Sequence, residues 1–289
     1  VDTAQLTAVQ AILSRLLRHF ERACQEAGAA FYLDAGTLLG AVRHGDWIPW
    51  DDDMDVVMWR ADYERLRAHR EAHPDAKTHL WDPLREPGSG VVPRFTVIDS
   101  TVLVGDFARV GHPERARLCL DVFIVDDAPR TAWITWPWLQ VTHLLQVARL
   151  LKGSSRQRLA AWQPAPLRIA LSAAAALLTP IPEPWIQRAY LATATAFAGR
   201  SDTGFVLNGG RQWRRKRIQR AWFDGGHRVR FAGSQYQAPD PDAYLSCMYG
   251  KDFITPPPPA ERGDHDLLVV DARLDELEVH IDQNHHIDH

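Results

Sequence analysis

Cysteine is scarce in this chain: three in 289 residues, Cys24, Cys119 and Cys247. They are odd in number and far apart. That argues against a disulfide framework and a CxxC zinc site, and it fits a reducing, cytoplasmic compartment. Net charge is nearly absent as well, −3 from 33 Lys and Arg against 36 Asp and Glu. The molecule as a whole is therefore not an electrostatic nucleic-acid binder. Long apolar runs are missing. "IALSAAAALLTPI" is apolar for 13 residues, short of the roughly 20 that a spanning helix needs. "WITWPWLQVTHLLQVARLL" is longer but is interrupted by Pro137, Gln140, His143, Gln146 and Arg149. The first twenty residues carry charges inside their apolar stretch, unlike a signal peptide. No internal repeat is found. Tryptophan, by contrast, is frequent at 11 residues, which suits a large core, stacking surfaces or a membrane interface.

The hydrophobic fraction of 46% and charged fraction of 24% are those of a globular protein. Residues 4–28 repeat apolar positions at helical spacing, from Leu6 through Val9, Ile12, Leu13, Leu16 and Leu17 to Phe20. "FYLD" reads as a short strand, "TLLGAVRH" as a short helix stopped by Gly45, "DMDVVM" as a strand and "RADYERLRAHREA" as a polar-faced helix. "VVPRFTVIDSTVLVGDF" reads as two strands around a turn at Asp99-Ser100, and "RLCLDVFIVDDAP" as another strand. Helices and strands thus alternate over residues 1–130, which form the expected catalytic core. Residues 131–200 turn helical, rich in Ala, Leu and Trp and broken by prolines. They are expected to form a helical insertion, with peripheral membrane contact at the inner face as an option. Residues 201–289 return to mixed structure and are expected to complete the substrate site. The fold class expected is α+β.

The stretch "GTLLGAVRHGDWIPWDDDMDVVM" carries the chemistry. Residues two apart on a strand face the same way. Asp53, Asp55 and Val57 then share one face, and Met54, Val56 and Met58 share the other, which suits a core. Unpaired buried carboxylates are costly, so the aspartate face must be solvated, paired or metal-bound. Two negative charges about 4 Å apart repel by about 4 kcal/mol at an effective dielectric of about 20, and a divalent cation between them reverses the sign. Oxygen-only ligands point to Mg²⁺ or Mn²⁺ rather than zinc. Upstream, Gly36-Thr37 opens a helix, and a helix N-terminus is a phosphate cradle. Gly-Thr, this spacer, then Asp-x-Asp on a strand is the active-site pattern of the nucleotidyltransferase fold typified by DNA polymerase β. The physics of that pattern is metal-assisted phosphoryl or nucleotidyl transfer.

"LDAGTLLGAVRHGDWIPWDDDMDVVM" also resembles the signature of the LicD family, which includes the fukutin-related proteins. "VVPRFTVIDSTV", "LDVFIVDDAP", "RAWFDGG" and "PDPDAYLSCMYGKDFITPPPPAERGDH" resemble further family segments, in family order over residues 30–267. Two departures stand out. Asp46 follows Gly45 where many members have Gly-Phe before Ile-Pro-Trp; Gly-Asp-x-Ile-Pro-Trp is the form of the fukutin-like branch. "FIVDDAP" replaces a segment with one more proline and glycine. The resemblance implies a metal-dependent phosphotransferase on a nucleotidyltransferase core. Such an enzyme moves phosphocholine, ribitol phosphate or glycerol phosphate from a CDP-alcohol donor to a sugar hydroxyl of a cell-surface glycan, releasing CMP.

Resemblance and spacing together nominate Asp53 and Asp55 as metal ligands. Asp51 joins them, as ligand or as general base. Asp52 is expected to point away and to cap or pair structurally. Asp121 is the candidate third carboxylate, or else a core-edge residue bonded to backbone. Gly36 and Thr37 form the phosphate cradle. Arg43 and His44 either neutralise the diphosphate or complement the helix C-terminus. Arg94 either reaches a phosphate or is an exposed strand arginine. "RQWRRKRIQR" (211–220) has six basic residues in ten, for an anionic partner or as a solvated face. Tyr249, Glu261, Arg262 and His265 are family-like positions that shape the pocket, and the tail "HIDQNHHIDH" is expected to be disordered. Two competing readings are a nucleotidyltransferase that adds NMP from an NTP to a small acceptor, and an inactive scaffold of the same fold.

Overall fold

The computed structural model describes residues 3–86, 92–97, 102–104, 118–152, 165–208, 216–258 and 267–269. In chain order the elements are helix α1 (Thr3–Glu26), strand β1 (Tyr32–Leu33), α2 (Ala35–His44), β2 (Asp55–Trp59), α3 (Arg60–Ala72), β3 (Thr78–Trp81), β4 (Arg94–Val97) and β5 (Val102–Val104). They continue with β6 (Cys119–Asp127), α4 (Ala132–Lys152), α5 (Ala165–Leu178), α6 (Glu183–Ala194), β7 (Thr203–Val206), β8 (Ile218–Gln219), β9 (Arg228–Phe231), β10 (Ser234–Gln237), α7 (Pro241–Tyr249) and β11 (Leu267–Val269). The architecture is mixed α+β. The expected turn at Asp99-Ser100, residues 211–215 of the basic run, Glu261, Arg262, His265 and the histidine-rich tail lie outside the described residues.

The chain divides into two compact units, residues 1–81, 94–123 and 222–289 in one and residues 82–93 and 124–221 in the other. Strand β6 runs from the first into the second. In the first unit the strand order is β1-β2-β6-β4-β3. β1 is antiparallel to β2, with Leu33 opposite Val56. β4 is antiparallel to both β3 and β6, with Arg94 opposite Asp121. β5 pairs with β11 rather than with its sequence neighbour β4. Helix α1 supplies the apolar stripe that its periodicity predicts: Val9, Ile12, Leu13, Leu16, Leu17 and Phe20 are all fully buried. The Phe20 ring meets Phe31 and Phe95 edge-on at 5.1 and 5.3 Å. Strand β2 is buried on both faces, so no face of it is left to solvent.

The second unit contains the expected helices, α4, α5 and α6. Compactness groups residues 201–221 with these helices, because β7 pairs with the second half of β6, Val125 opposite Val206, and with β8. Its small core is Ala128, Trp138, Tyr190, Ala194, Phe205 and Leu207. Trp138 Nε1 donates to the Thr193 carbonyl at 2.7 Å, tying α4 to α6. Arg149 is buried, donates to Gln146 Oε1 and the Pro83 carbonyl, both at 2.8 Å, and stacks over the Tyr190 ring.

Candidate active site

The site lies in the first unit and begins with helix α2. Asp34 is its N-cap: the side chain accepts from Ala35 N at 2.7 Å, and Leu38 N donates to the Asp34 carbonyl. Ala35 has φ of 44°, a left-handed conformation that alanine rarely adopts. Gly36 follows, and its lack of a side chain is required. A Cβ there would stand 2.6 Å from Asp51 Oδ2. Gly40, one turn on, is pressed equally closely, since a Cβ would meet the Asp46 carbonyl at 2.7 Å. The two glycines let the segment 46–51 lie directly against α2.

That segment is held from behind by α1. Gln10 Nε2 donates to the Asp51 carbonyl at 2.7 Å, and Trp47 Nε1 donates to Ser14 Oγ at 3.0 Å. Asp46 Oδ1 accepts from Trp47 N and from Ala232 N at the tip of the β9–β10 hairpin. Trp47 packs on Phe231 of the same hairpin. Asp46 thus staples the loop to the hairpin.

Residues 51–54 are not strand; β2 starts at Asp55. This corrects the alternation expected across the aspartate run, and with it the expectation that Asp52 points away from Asp51 and Asp53. One carboxylate oxygen each from Asp51, Asp52 and Asp53 lies within 4.8 Å of the others. Asp51 and Asp52 are both buried. Irregular backbone, freed from the two-residue period of a strand, lets adjacent side chains converge. Asp55 stands on the strand beside this cluster. Its carboxyl is pushed well above the usual range by burial, then by the charges of Asp53, Asp121, Asp34 and Asp51.

Thr37 is buried, and its hydroxyl accepts from Asp55 N at 2.9 Å. It therefore locks the start of α2 to the strand that carries Asp55, a duty not anticipated from the Gly-Thr motif. Asp34 N completes the lock by donating to the Asp55 carbonyl. Asp121 enters from β6, where its backbone N donates to the Met54 carbonyl at 2.9 Å. Its carboxylate is in an ion pair with Arg94 Nε at 2.9 Å. Arg94 is therefore engaged by Asp121 rather than standing as an exposed strand arginine. Arg43 and His44 occupy the last turn of α2, the end opposite Gly36, where cations complement the helix dipole. Arg43 reaches the Phe253 carbonyl at 3.5 Å, and His44 lies edge-on to Trp50.

The C-terminal helix α7 closes the site. Tyr244 Oη donates to Asp34 Oδ1 at 2.7 Å across 210 residues of sequence. Tyr244 is seated on Trp222 and Phe223, and Phe223 also meets Tyr32 and Trp59. The "RAWFDGG" segment thus supplies an aromatic wedge under the site. Asp34 is completely buried, and burial raises its carboxyl to about 6 against the hydrogen bonds from Tyr244 and Ala35. Asp34 Oδ2 has no hydrogen-bond partner among the described residues. Tyr249, in the last turn of α7, is 45% exposed, and its phenol is pushed up by partial burial and by the charges of Asp34, Asp55, Asp51 and Asp53. Asp34 and Tyr244 were missed from sequence. An acidic residue between a short strand and Ala-Gly-Thr is an N-cap signal for Asp34, whereas nothing local marks Tyr244.

Residues 28–166 match the family model described as LicD/FKTN/FKRP, nucleotidyltransferase domain. The chain is similar to the lipopolysaccharide cholinephosphotransferase LicD of Haemophilus influenzae, 27% identical over 133 residues, 45% of this chain and 48% of that protein. It is also similar to the ribitol 5-phosphate transferase FKRP of Mus musculus and of Homo sapiens. Each is 34% identical over 111 residues, 38% of this chain and 20% of theirs. The chain thus matches about half the length of the LicD relative and a fifth of each FKRP.

Proposed function

We propose that this chain, which carries a LicD/FKTN/FKRP-type domain over residues 28–166, transfers a phospho-alcohol from a CDP-alcohol to a glycan hydroxyl. One relative is named for cholinephosphate transfer and the others for ribitol 5-phosphate transfer, and a phospho-alcohol is what those names share. The observation that carries the reading is the convergence of Asp51, Asp52 and Asp53 against Gly36 at the start of α2. We read the adjacent strands β2 and β6, which bring Asp55 and Asp121 behind a Gly-Thr helix start, as the core of a DNA polymerase β-like nucleotidyltransferase fold. The three cysteines, all free, fit a cytoplasmic location.

The donor set fits a hard divalent cation, Mg²⁺ or Mn²⁺. It is all oxygen, burial and then the neighbouring carboxylates push the Asp55 carboxyl upward, and the buried Oδ2 of Asp34, without a hydrogen-bond partner among the described residues, belongs to the same acidic surroundings. Asp51, Asp52, Asp53 and Asp55 are the residues that would hold it. When bound, such a cation would offset the charge of a diphosphate and stabilise charge developing on the transferred phosphoryl group.

The remaining work falls to this chain's own groups. The first backbone N–H groups of α2, at Gly36 and Thr37, offer donors to a phosphate oxygen. Tyr249, whose raised phenol stays protonated, donates a hydrogen bond to the bound donor. The acceptor hydroxyl attacks the phosphorus next to the alcohol while its proton passes to an Asp51 carboxylate oxygen. The bond from that phosphorus to the CMP oxygen breaks, and CMP leaves. The Arg94–Asp121 pair and the Thr37–Asp55 hydrogen bond fix the strands that carry the carboxylates.

A ³¹P NMR survey of CDP-choline, CDP-ribitol and CDP-glycerol with candidate glycan acceptors tests this. The reading requires Mg²⁺-dependent CMP release with one donor, and no turnover with any donor would overturn it. Release of pyrophosphate from an NTP would instead support nucleotidyl transfer.

A further inference from the structure

Helix α4 is built inside out. Its buried positions include Thr135, Thr142, Gln146 and Arg149, alongside Trp138 and Leu151. Its exposed positions carry Trp133, Trp136, Val141 and Leu144, at 77, 67, 46 and 66% exposure. At about 100° per residue these four, with Pro137 and Gln140, fall on one face opposite the polar one. Helix α5, almost wholly Ala, Leu and Ile, has Ala175 as its one buried side chain among the described residues. Trp185 on α6 is 66% exposed. Nine of the eleven large apolar side chains left exposed among the described residues fall between Trp133 and Trp185. An apolar outer helix face costs free energy in water, and a contiguous exposed apolar patch marks an interaction surface.

Charge says what covers it. Of the chain's 33 Lys and Arg and 36 Asp and Glu, residues 130–200 hold eight and one, so this stretch carries +7 and the remainder −10. Arg130, Arg188 and Arg200 are exposed, and Glu183 is the single acidic group. Tryptophans on non-spanning helices of a segment with net positive charge are the chemistry of an anionic bilayer surface, where indoles sit at the headgroup level. Among the described residues no single helix is long and apolar enough to cross a membrane. The pair Ile169–Leu178 and Glu183–Ala194 has the composition together but is bent by 99°, which suits lying in the interface. A second copy meeting this face to face would set like charge against like.

We propose that the outward faces of α4, α5 and α6 form a docking surface for anionic phospholipid, with Trp133, Trp136 and Trp185 inserting at the headgroup boundary. The proposal is independent of the reaction assigned to the aspartates. The test is co-sedimentation of the full chain with phosphatidylcholine vesicles, with and without phosphatidylglycerol. A variant carrying Trp133→Ser, Trp136→Ser and Trp185→Ser runs in parallel, its fold checked by circular dichroism. The wild type should bind the anionic vesicles at least about ten-fold better and release them in high salt. The variant should lose about ten-fold. If it misfolds, quenching of wild-type tryptophan fluorescence by lipids brominated near the headgroup gives the same answer without substitution. Equal binding of variant and wild type, no quenching, or a vesicle-indifferent dimer that the variant dissociates would overturn the proposal.

Discussion

The unit that carries the aspartates buries charge: Asp34, Asp51, Asp52 and Asp55 are each less than a tenth exposed. The helical unit does the reverse, leaving Trp133, Trp136 and Trp185 about two-thirds or more exposed while Thr142, Gln146 and Arg149 point inward. Ordinary folding hides apolar groups and solvates charge, so both units break the rule, in opposite directions. The remedies differ accordingly. The carboxylates are held by a rigid frame of backbone hydrogen bonds and close glycine contacts, and they await positive charge. The tryptophan rings stand exposed and suit an apolar phase. Where a fold violates local preference on both counts, each violation is a candidate binding surface.

The comparison can be broken most sharply at the carboxylates. Replacing Asp53 and Asp55 by Asn together should lower CMP release by at least about 10³-fold, since metal-assisted charge stabilisation is worth several kcal/mol. The same variant should melt no lower than wild type in chelator, because it removes like charges that oppose one another. A double variant that loses its fold instead would show that these carboxylates serve structure.

The next effect is pH dependence without metal. Asp34 has a folded value of about 6, against 3.8 for the ordinary carboxyl. A raised carboxyl favours the protonated folded state, so its penalty is absent below about pH 4, grows as pH rises, and is complete above about 6. It amounts to about 3 kcal/mol, and Asp55 adds to it in the same direction. The melting temperature in EDTA should fall from pH 4 to pH 6 and above, and Mg²⁺ should restore part of it at pH 7 by binding only the folded state.

Gly36→Ala comes third. The added methyl stands 2.6 Å from Asp51 Oδ2 and must displace that carboxylate. Turnover should drop by about 10²-fold, the effect of a misplacement of about 1 Å, with a stability cost of about 1–3 kcal/mol. Steady-state kinetics should place the loss in kcat more than in KM. Smallest is Tyr244→Phe, which removes one donor from buried Asp34 and should cost about 1–3 kcal/mol in a urea titration.

Much of this was legible beforehand, and the limits have physical reasons. Helices α1 and α3 show in the sequence because each hides one face, and apolar period records that directly. The aspartate run stood out by density and by its order after Gly-Thr. Asp52 was misplaced because the alternation argument assumes strand backbone. Residues 51–54 take their shape from distant ties, Gln10 on the Asp51 carbonyl and Gly36 against its carboxylate. Gln10 and Ser14, one turn apart inside an apolar stripe, were a signal that those ties existed. The Arg94–Asp121 pair depends on strand register, and the Tyr244–Asp34 bond spans 210 residues, so neither leaves a local trace. The apolar character of residues 131–200 was plain, but which face turns outward is decided by packing on the Trp138–Tyr190 core.

We propose that the converging aspartates hold the divalent cation of a phospho-alcohol transfer reaction. This is tested most directly by following CMP release by ³¹P NMR from CDP-choline, CDP-ribitol and CDP-glycerol, with glycan acceptor and Mg²⁺, for wild type and for the Asp53→Asn, Asp55→Asn variant side by side. CMP is expected from one donor with the wild type, abolished both by EDTA and by the double substitution. CMP release that survives chelation and the loss of both carboxylates would contradict it.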